Sequence, residues 1–294
     1  MMRATRCSQP IARYFANGDW CSRLVQAIGR TGMRLVHLRR LVELAAIFGR
    51  RDIVFAGGLM CTISFLPRAQ GFYLAMNRDE KRDRLAGLRP AVVELENHRA
   101  LFPREPTGGT WISANDSGLC LALINWHRIQ HKPKKDTLSR GLVVRELAGK
   151  SSADEIATSL KKLPLRKLRP FRLIVIAPDQ MRVTEWRWSL YGLTKRNHTW
   201  QRQHWFSSGL DEHRAELERT RICASATLNS LKQLRQLHRS HAPKRGPFSI
   251  CMHRPDAATI SYTEITVSNQ RVSMRYKSGP PCSSGTNVTR SIYS

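Results

Sequence analysis

The chain has 294 residues, a formal net charge of +27 from 49 Lys and Arg against 22 Asp and Glu, and 41% hydrophobic residues. That composition supplies enough apolar mass for one large domain or two ordinary ones and excludes full disorder. A membrane-spanning helix is excluded as well: no run of about 18 apolar residues exists, and the best stretch, Leu41 to Phe48, is cut by Glu43 and closed by Arg50 and Arg51.

The cysteines at positions 7, 21, 61, 120, 223, 251 and 282 are odd in number and contain no C-x-x-C pair. This argues against a disulfide framework or a zinc ribbon and points to a reducing, cytoplasmic compartment. The histidines include no H-E-x-x-H, and the nearest spacing, His238 with His241, reads as a solvated helix end rather than half a metal site. Neither a metal nor another cofactor is expected. P-loop, dinucleotide and G-x-S-x-G motifs are absent too.

Residues 1–59 carry ten Arg, no Lys and only three acids, Asp19, Glu43 and Asp52. An Arg-rich targeting peptide has this bias, but the stretch is long for one. The alternative is that translation starts at Met60: Ala56-Gly57-Gly58 can be encoded by a sequence containing AGGAGG, a bacterial ribosome-binding site. The expected organisation is therefore an extension over 1–59 outside the native domain, a domain over 60–278 and a disordered tail over 279–294.

From Met60 the chain changes character. Cys61 to Leu66 and Phe72 to Met76 are predicted strands around a turn at Pro67 to Gly71, a hairpin that brings Cys61 beside the polar cluster Asn77-Arg78-Asp79-Glu80. Gly108 to Ser113 opens a further strand, and Gly118 to Asn125 is an apolar run of the kind buried on both faces. A basic loop over 127–136 leads to helices at Arg140 to Ala148 and, with a capping box at Ser152 and Glu155, onward to about Lys162. Strands follow at Phe171 to Ala177, Met181 to Trp188 and Gln201 to Ser207, then a long helix from Leu210 to His238 with a possible break near Cys223. A hairpin at Thr259 to Val267 and Arg271 to Tyr276 closes the order. Strands, helices, strands, helix, strands is the signature of a layered α+β domain with mostly antiparallel sheets.

A cysteine next to an initiator Met acquires a free α-amino group when that Met is removed, so nucleophile and base share one residue. The amine titrates at about 7.7 to 8.0, near the operating pH. A free thiol titrates at about 8.5, is only a few per cent thiolate at neutral pH, and needs a base or cation beside it. Arg78 offers the cation, Asp79 a carboxylate to orient the ammonium group, and Asn125 an N–H for a developing oxyanion. Bland alternatives stand beside each role: a strand-start cysteine is often a small buried hydrophobe, Asn77 to Glu80 makes an ordinary salt-bridged turn, and Gly108 to Trp111 makes a tight turn with Trp111 as packing.

Met60-Cys61-Thr62, Asn77-Arg78-Asp79-Glu80, Gly108-Gly109-Thr110-Trp111 and Leu123-Ile124-Asn125-Trp126, in this order and at these spacings, resemble the NRDE family, also called the Transport and Golgi organisation 2 family. The resemblance runs over about residues 60–282, through Phe206 to Leu210 and Ser249 to Arg254 with Thr259 and Ser261 following; residues 1–59 have no counterpart in it. It implies an α+β, N-terminal-nucleophile (Ntn) hydrolase-like fold, a four-layer αββα sandwich. Cys61 matches the nucleophile, Arg78 and Asp79 match residues that surround the thiol and amine, and Asn125 matches a strand-end Asn. Where many relatives carry Ser-Asn this chain has Ser207-Ser208, a shorter and less directed donor. Candidate ligand contacts are Asn77, Trp111, Ser208 and His253.

Two functions compete. One is a cysteine hydrolase that cleaves a non-peptide C–N or thioester bond of a small acyl substrate, which requires a free Cys61 amine. The other is a carrier of an anionic, amphipathic ligand such as heme or acyl-CoA, roles the family suggests, with Cys61, Met252 or His253 as soft contacts to a porphyrin iron. Nucleic acid is not an expected partner: the patches Lys161-Lys162, Arg166-Lys167, Arg169 and Arg172, and Lys132, Lys134 and Lys135, lack interleaved aromatics and read as solvated faces.

Overall fold

The computed structural model describes residues 60–129, 133 and 137–293. The extension over 1–59 and the patch at Lys132, Lys134 and Lys135 lie outside the described residues. In chain order the elements are β1 Met60–Pro67, β2 Phe72–Lys81, β3 Leu88–Glu94, β4 Arg99–Arg104, β5 Ile112–Asn115, β6 Cys120–Asn125, α1 Gly141–Leu147, α2 Ala153–Lys162, β7 Phe171–Ala177, β8 Arg182–Trp188, β9 Leu193–His198, β10 Gln203–Ser207, α3 Glu212–Ser225, α4 Leu231–Arg239, β11 Ala257–Ser268, β12 Arg271–Ser278 and β13 Asn287–Tyr293.

The strands form two sheets: six strands in the order β10-β1-β2-β11-β12-β13, and seven in the order β3-β4-β5-β6-β7-β8-β9. Every pairing within them is antiparallel. Side chains alternate faces along a strand, and one face of each sheet carries the shared core. Ile63 and Phe65 of β1, Leu74 and Met76 of β2 and Ile265 of β11 meet Ile112 of β5, Ala122 of β6 and Ile174 of β7, all fully buried. Helices α1 and α2 pack on the seven-stranded sheet, α3 and α4 on the six-stranded one. The result is the expected αββα sandwich.

Local sequence explains where the elements begin. The Ser152 hydroxyl accepts from the Glu155 N–H at 3.1 Å while the Glu155 carboxylate accepts from the Ser151 N–H at 2.7 Å, so the capping box starts α2 as the spacing predicts. The two glycines ahead of Trp111 let the backbone pass against the start of α1: a Cβ on Gly109 would lie 3.1 Å from Gly141, and the Thr110 N–H donates to the Gly141 carbonyl at 3.0 Å.

Two expectations are corrected, the disordered tail and the solvated His238, and the break in the long helical stretch is located. The tail from Ser278 is not disordered throughout, because Asn287 to Tyr293 form β13 against β12 and bury Ile292. The long helical stretch is broken after Ser225, beside the expected break near Cys223, into α3 and α4, with Ser230 capping the second by accepting from the Gln233 N–H at 3.3 Å. His238 is not solvated but fully buried, with Nδ1 3.0 Å from Asn77 Oδ1 and Nε2 2.9 Å from Ser64 Oγ. Burial lowers its pKa to about 3, so the ring is neutral in the fold.

Candidate active site

The site begins at the first turn of the hairpin. Cys61 lies opposite Arg78 on β2 and opposite Ser207 on β10. Residues directly opposed in a sheet share a face, so Cys61, Arg78 and Ser207 look between the sheets while Thr62, Asn77 and Asp79 look toward α3 and α4. β11 lies on the other side of β2, pairing Thr259 with Asp79 and Ser261 with Arg78. A bulge at Ile260 absorbs the extra residue and re-aims Thr259.

On the inner face Arg78 is nearly closed off. Its Nη2 donates to Glu80 Oε1 at 3.0 Å and to Glu105 Oε1 at 2.5 Å, and its guanidinium lies 4.2 Å from the Trp111 ring centre, a cation–π stack. Around the thiol, several buried polar atoms have no hydrogen-bond partner among the described residues: Arg78 Nη1, Glu80 Oε2, Trp111 Nε1 and Ser207 Oγ. Burial pushes the Cys61 thiol up to about 12, with the charges of Asp79 and Glu80 adding to it; the Asp79 N–H and the Arg78 cation pull the other way. The sulfur is therefore a thiol in this environment and needs a base to become a nucleophile.

On the outer face Asp79 sits against Arg219 of α3, both fully buried. Arg219 donates to Asp79 Oδ2 at 3.4 Å, to Thr62 Oγ1 at 2.8 Å and to the Cys61 carbonyl at 3.4 Å, and the Thr259 hydroxyl donates to Asp79 Oδ1 at 2.6 Å. Burial raises the Asp79 carboxyl to about 7, against the pull of Arg219 and Thr259, so this group exchanges a proton near neutral pH. Half-buried Arg140, at the start of α1, also acts electrostatically on Cys61 and Glu80.

The sequence-expected residues divide. Cys61, Arg78, Asp79 and Trp111 come together. Asn77 does not reach this inner face: both of its N–H groups donate at 2.9 Å, to the His238 and Ile250 carbonyls, and its Oδ1 meets His238, which makes it a clamp on the end of α4. Asn125 is buried at the end of β6 and makes no hydrogen bond to Cys61; it is out of phase with Ile124, which packs in the core between the sheets. The Ser208 hydroxyl accepts from the Leu210 and Asp211 N–H groups at 3.3 Å, shaping the chain into α3. His253 lies with His241, Cys251 and Cys282, and Met252 is fully buried. Arg172, read as part of a surface patch, is buried and bound to Glu185 at 2.5 Å.

Sequence reasoning missed Arg219, Glu105 and the position of Ser207 on the thiol's face. Arg219 sits in a strongly basic helix where nothing separates it from its solvated neighbours. The strand pairing that brings Ser207 beside Cys61 joins residues far apart in the chain.

The family model described as Transport and Golgi organisation 2 matches residues 60–213. Among solved structures, penicillin V acylase from Agrobacterium tumefaciens is 12% identical with a TM-score of 0.46, covering 74% of this chain and 82% of its own. A mutant of conjugated bile acid hydrolase from Clostridium perfringens is 10% identical with a TM-score of 0.47, covering 80% of this chain and 92% of its own. No curated protein matches the sequence. Among the described residues no helix is long and apolar enough to cross a membrane.

Proposed function

Because the chain belongs to the Transport and Golgi organisation 2 family, we propose that its domain is an N-terminal-cysteine hydrolase acting on a non-peptide C–N or thioester bond of a small acyl substrate. The observation that carries this reading is the set of unpartnered buried polar atoms around Cys61, namely Arg78 Nη1, Glu80 Oε2, Trp111 Nε1 and Ser207 Oγ. A fold that leaves such groups orphaned loses about 1–3 kcal/mol for each, and they concentrate where a ligand completes them.

The chemistry follows from the two faces. Removal of the residues before Cys61 frees its amine, which takes the thiol proton as the sulfur attacks the acyl carbon. Charge developing on the carbonyl oxygen is met by the Ser207 hydroxyl and Arg78 Nη1, two of the unpartnered donors on the thiol's face. The amine returns its proton to the departing nitrogen or sulfur, leaving a thioester on Cys61. Water then adds to that thioester, the amine takes the water's proton, and release of the carboxylic acid restores the thiol. Asp79, held by Arg219 and Thr259, steadies the ammonium form from the outer face.

Carriage of heme through soft contacts finds less support, since Met252 is fully buried and His253 Nε2 lies within 3.6 Å of two cysteine sulfurs and a second imidazole. The test is the N-terminal sequence of protein made from its own upstream DNA, followed by hydrolysis of acyl amides and thioesters. A chain beginning at Cys61, with turnover abolished in Cys61→Ala, is the expected result. Cys61 found internal, or turnover that survives Cys61→Ala, ends the hydrolase reading.

A further inference from the structure

We propose that His241, Cys251, His253 and Cys282 form a tetrahedral zinc site that pins together the loops beside the Asp79 network. The four ligand atoms lie within 4.8 Å of one another. His253 Nε2 is 3.2 Å from His241 Nε2, 3.4 Å from Cys282 Sγ and 3.6 Å from Cys251 Sγ. With Zn–N of about 2.0–2.1 Å and Zn–S of about 2.3 Å, a tetrahedron places two nitrogens about 3.3 Å apart and nitrogen and sulfur about 3.5 Å apart. The three separations from His253 Nε2 match those figures, and the remaining ones, bounded by 4.8 Å, close to them when the side chains draw in around an ion. Hydrogen bonding does not account for them: one imidazole nitrogen faces three ligand atoms at once, and a single N–H or lone pair serves one of them well.

The chemistry of the donors points to the same ion. Two thiolates and two neutral imidazoles suit a borderline-soft divalent metal, and four protein ligands make a closed, structural site rather than a catalytic one. Two thiolates cancel the two charges of zinc, so the completed site is neutral and the nearby Arg82 and Arg245 do not oppose it. Arg245 meets His253 Nδ1 at 3.4 Å, a contact that turns away when Nε2 takes the metal and Nδ1 carries the proton.

The ligands come from three segments: His241 just past α4, Cys251 and His253 from the chain leading to β11, and Cys282 from the loop between β12 and β13. Backbone contacts already bring these segments together. The Cys251 N–H donates to the Ser240 carbonyl at 3.0 Å, the His253 N–H to Gly246 at 3.2 Å, and the Gly279 N–H to the carbonyl of the bulged Ile260 at 2.7 Å. Met252, between two of the ligands, exchanges hydrogen bonds with Thr259 at 2.9 Å in each direction, and Thr259 holds Asp79. The metal is thus a positioning element two contacts from the Asp79 carboxyl. It stands whether or not Cys61 is a nucleophile.

The test uses the full chain purified without chelator. One zinc ion per chain by elemental mass spectrometry is expected, together with its loss in Cys251→Ser/Cys282→Ser. Cobalt exchanged into the wild-type protein should show the intense visible bands of tetrahedral coordination and a near-ultraviolet thiolate charge-transfer band, a readout that needs no variant to fold. His241→Cys should keep the metal and strengthen the charge-transfer band. Wild-type protein that carries no zinc and gives no thiolate band with cobalt overturns the proposal, as does a Cys251–Cys282 disulfide in protein prepared under reducing conditions.

Discussion

Two fully buried carboxylates, Asp79 on the six-stranded sheet and Glu185 on the seven-stranded one, show how the same group is spent in opposite ways. Glu185 of β8 is surrounded by donors: Arg172 Nε at 2.5 Å, Arg187 at 2.8 and 3.0 Å, and His198 Nε2 at 3.1 Å. Burial pushes its pKa up, but His198, Arg187 and Arg172 outweigh burial and hold the carboxyl far below the usual range. Asp79 has one cation and one hydroxyl, and burial wins. A carboxylate with every lone pair answered is a structural pin; one left short of donors, next to a thiol, keeps a proton it can exchange.

The largest effect should come from breaking the answered site. Glu185→Ala leaves buried Arg172 without its counter-charge and is expected to cost about 3–5 kcal/mol, read from the urea midpoint. A cost under about 1 kcal/mol would mean that the Arg172–Glu185 pair is no structural pin. The pH dependence separates the two groups by sign. Asp79 has a folded pKa near 7 against an ordinary 3.8, so the folded chain holds a proton that the unfolded one releases. Its contribution is fully present below the ordinary value and is lost as pH rises from about 4 through 7, at a slope of up to about 1.4 kcal/mol per pH unit. Glu185, with its folded pKa depressed, contributes stability at neutral pH that is lost as pH falls. Asp79→Asn should flatten the neutral limb of stability against pH and Glu185→Gln the acid limb; exchanged outcomes would show that the assignments are reversed.

The sequence makes the Cys61 hairpin, its polar end and the buried run of β6 legible because apolar alternation and local turns encode them. The missed strands are polar or broken and lie at or next to sheet edges. β3 contains Pro90, β9 reads Leu-Thr-Lys-Arg-Asn-His with no residue fully buried, and β13 buries only Ile292. An edge strand answers to one neighbour and to solvent, so its periodicity is weak. The break between α3 and α4 did carry a signal, since Ser230-Leu-Lys-Gln233 is a capping box: the Gln233 side chain accepts from the Asn229 N–H at 2.8 Å. Arg219 and the four proposed zinc ligands carried none, because their partners come together only through strand pairing and loop packing far along the chain.

The smallest effect on stability tests the comparison most finely. Cys61 and Cys120 are both buried thiols in the core between the sheets, both pushed up by burial. Cys120 Sγ has its partner, the Gly118 carbonyl at 3.5 Å, and no charged neighbour acts on it, whereas Cys61 sits opposite Arg78 and below Asp79. Removing either sulfur deletes about one methylene's worth of burial, so Cys61→Ala and Cys120→Ala should each cost about 1 kcal/mol and agree with each other to a few tenths. Hydrolysis should vanish only in Cys61→Ala. Equal stability with unequal activity assigns the difference to the charges around Cys61 rather than to packing; a much larger cost for Cys61→Ala would make its sulfur a core residue first, and the polar cluster across from it a salt-bridged strand end.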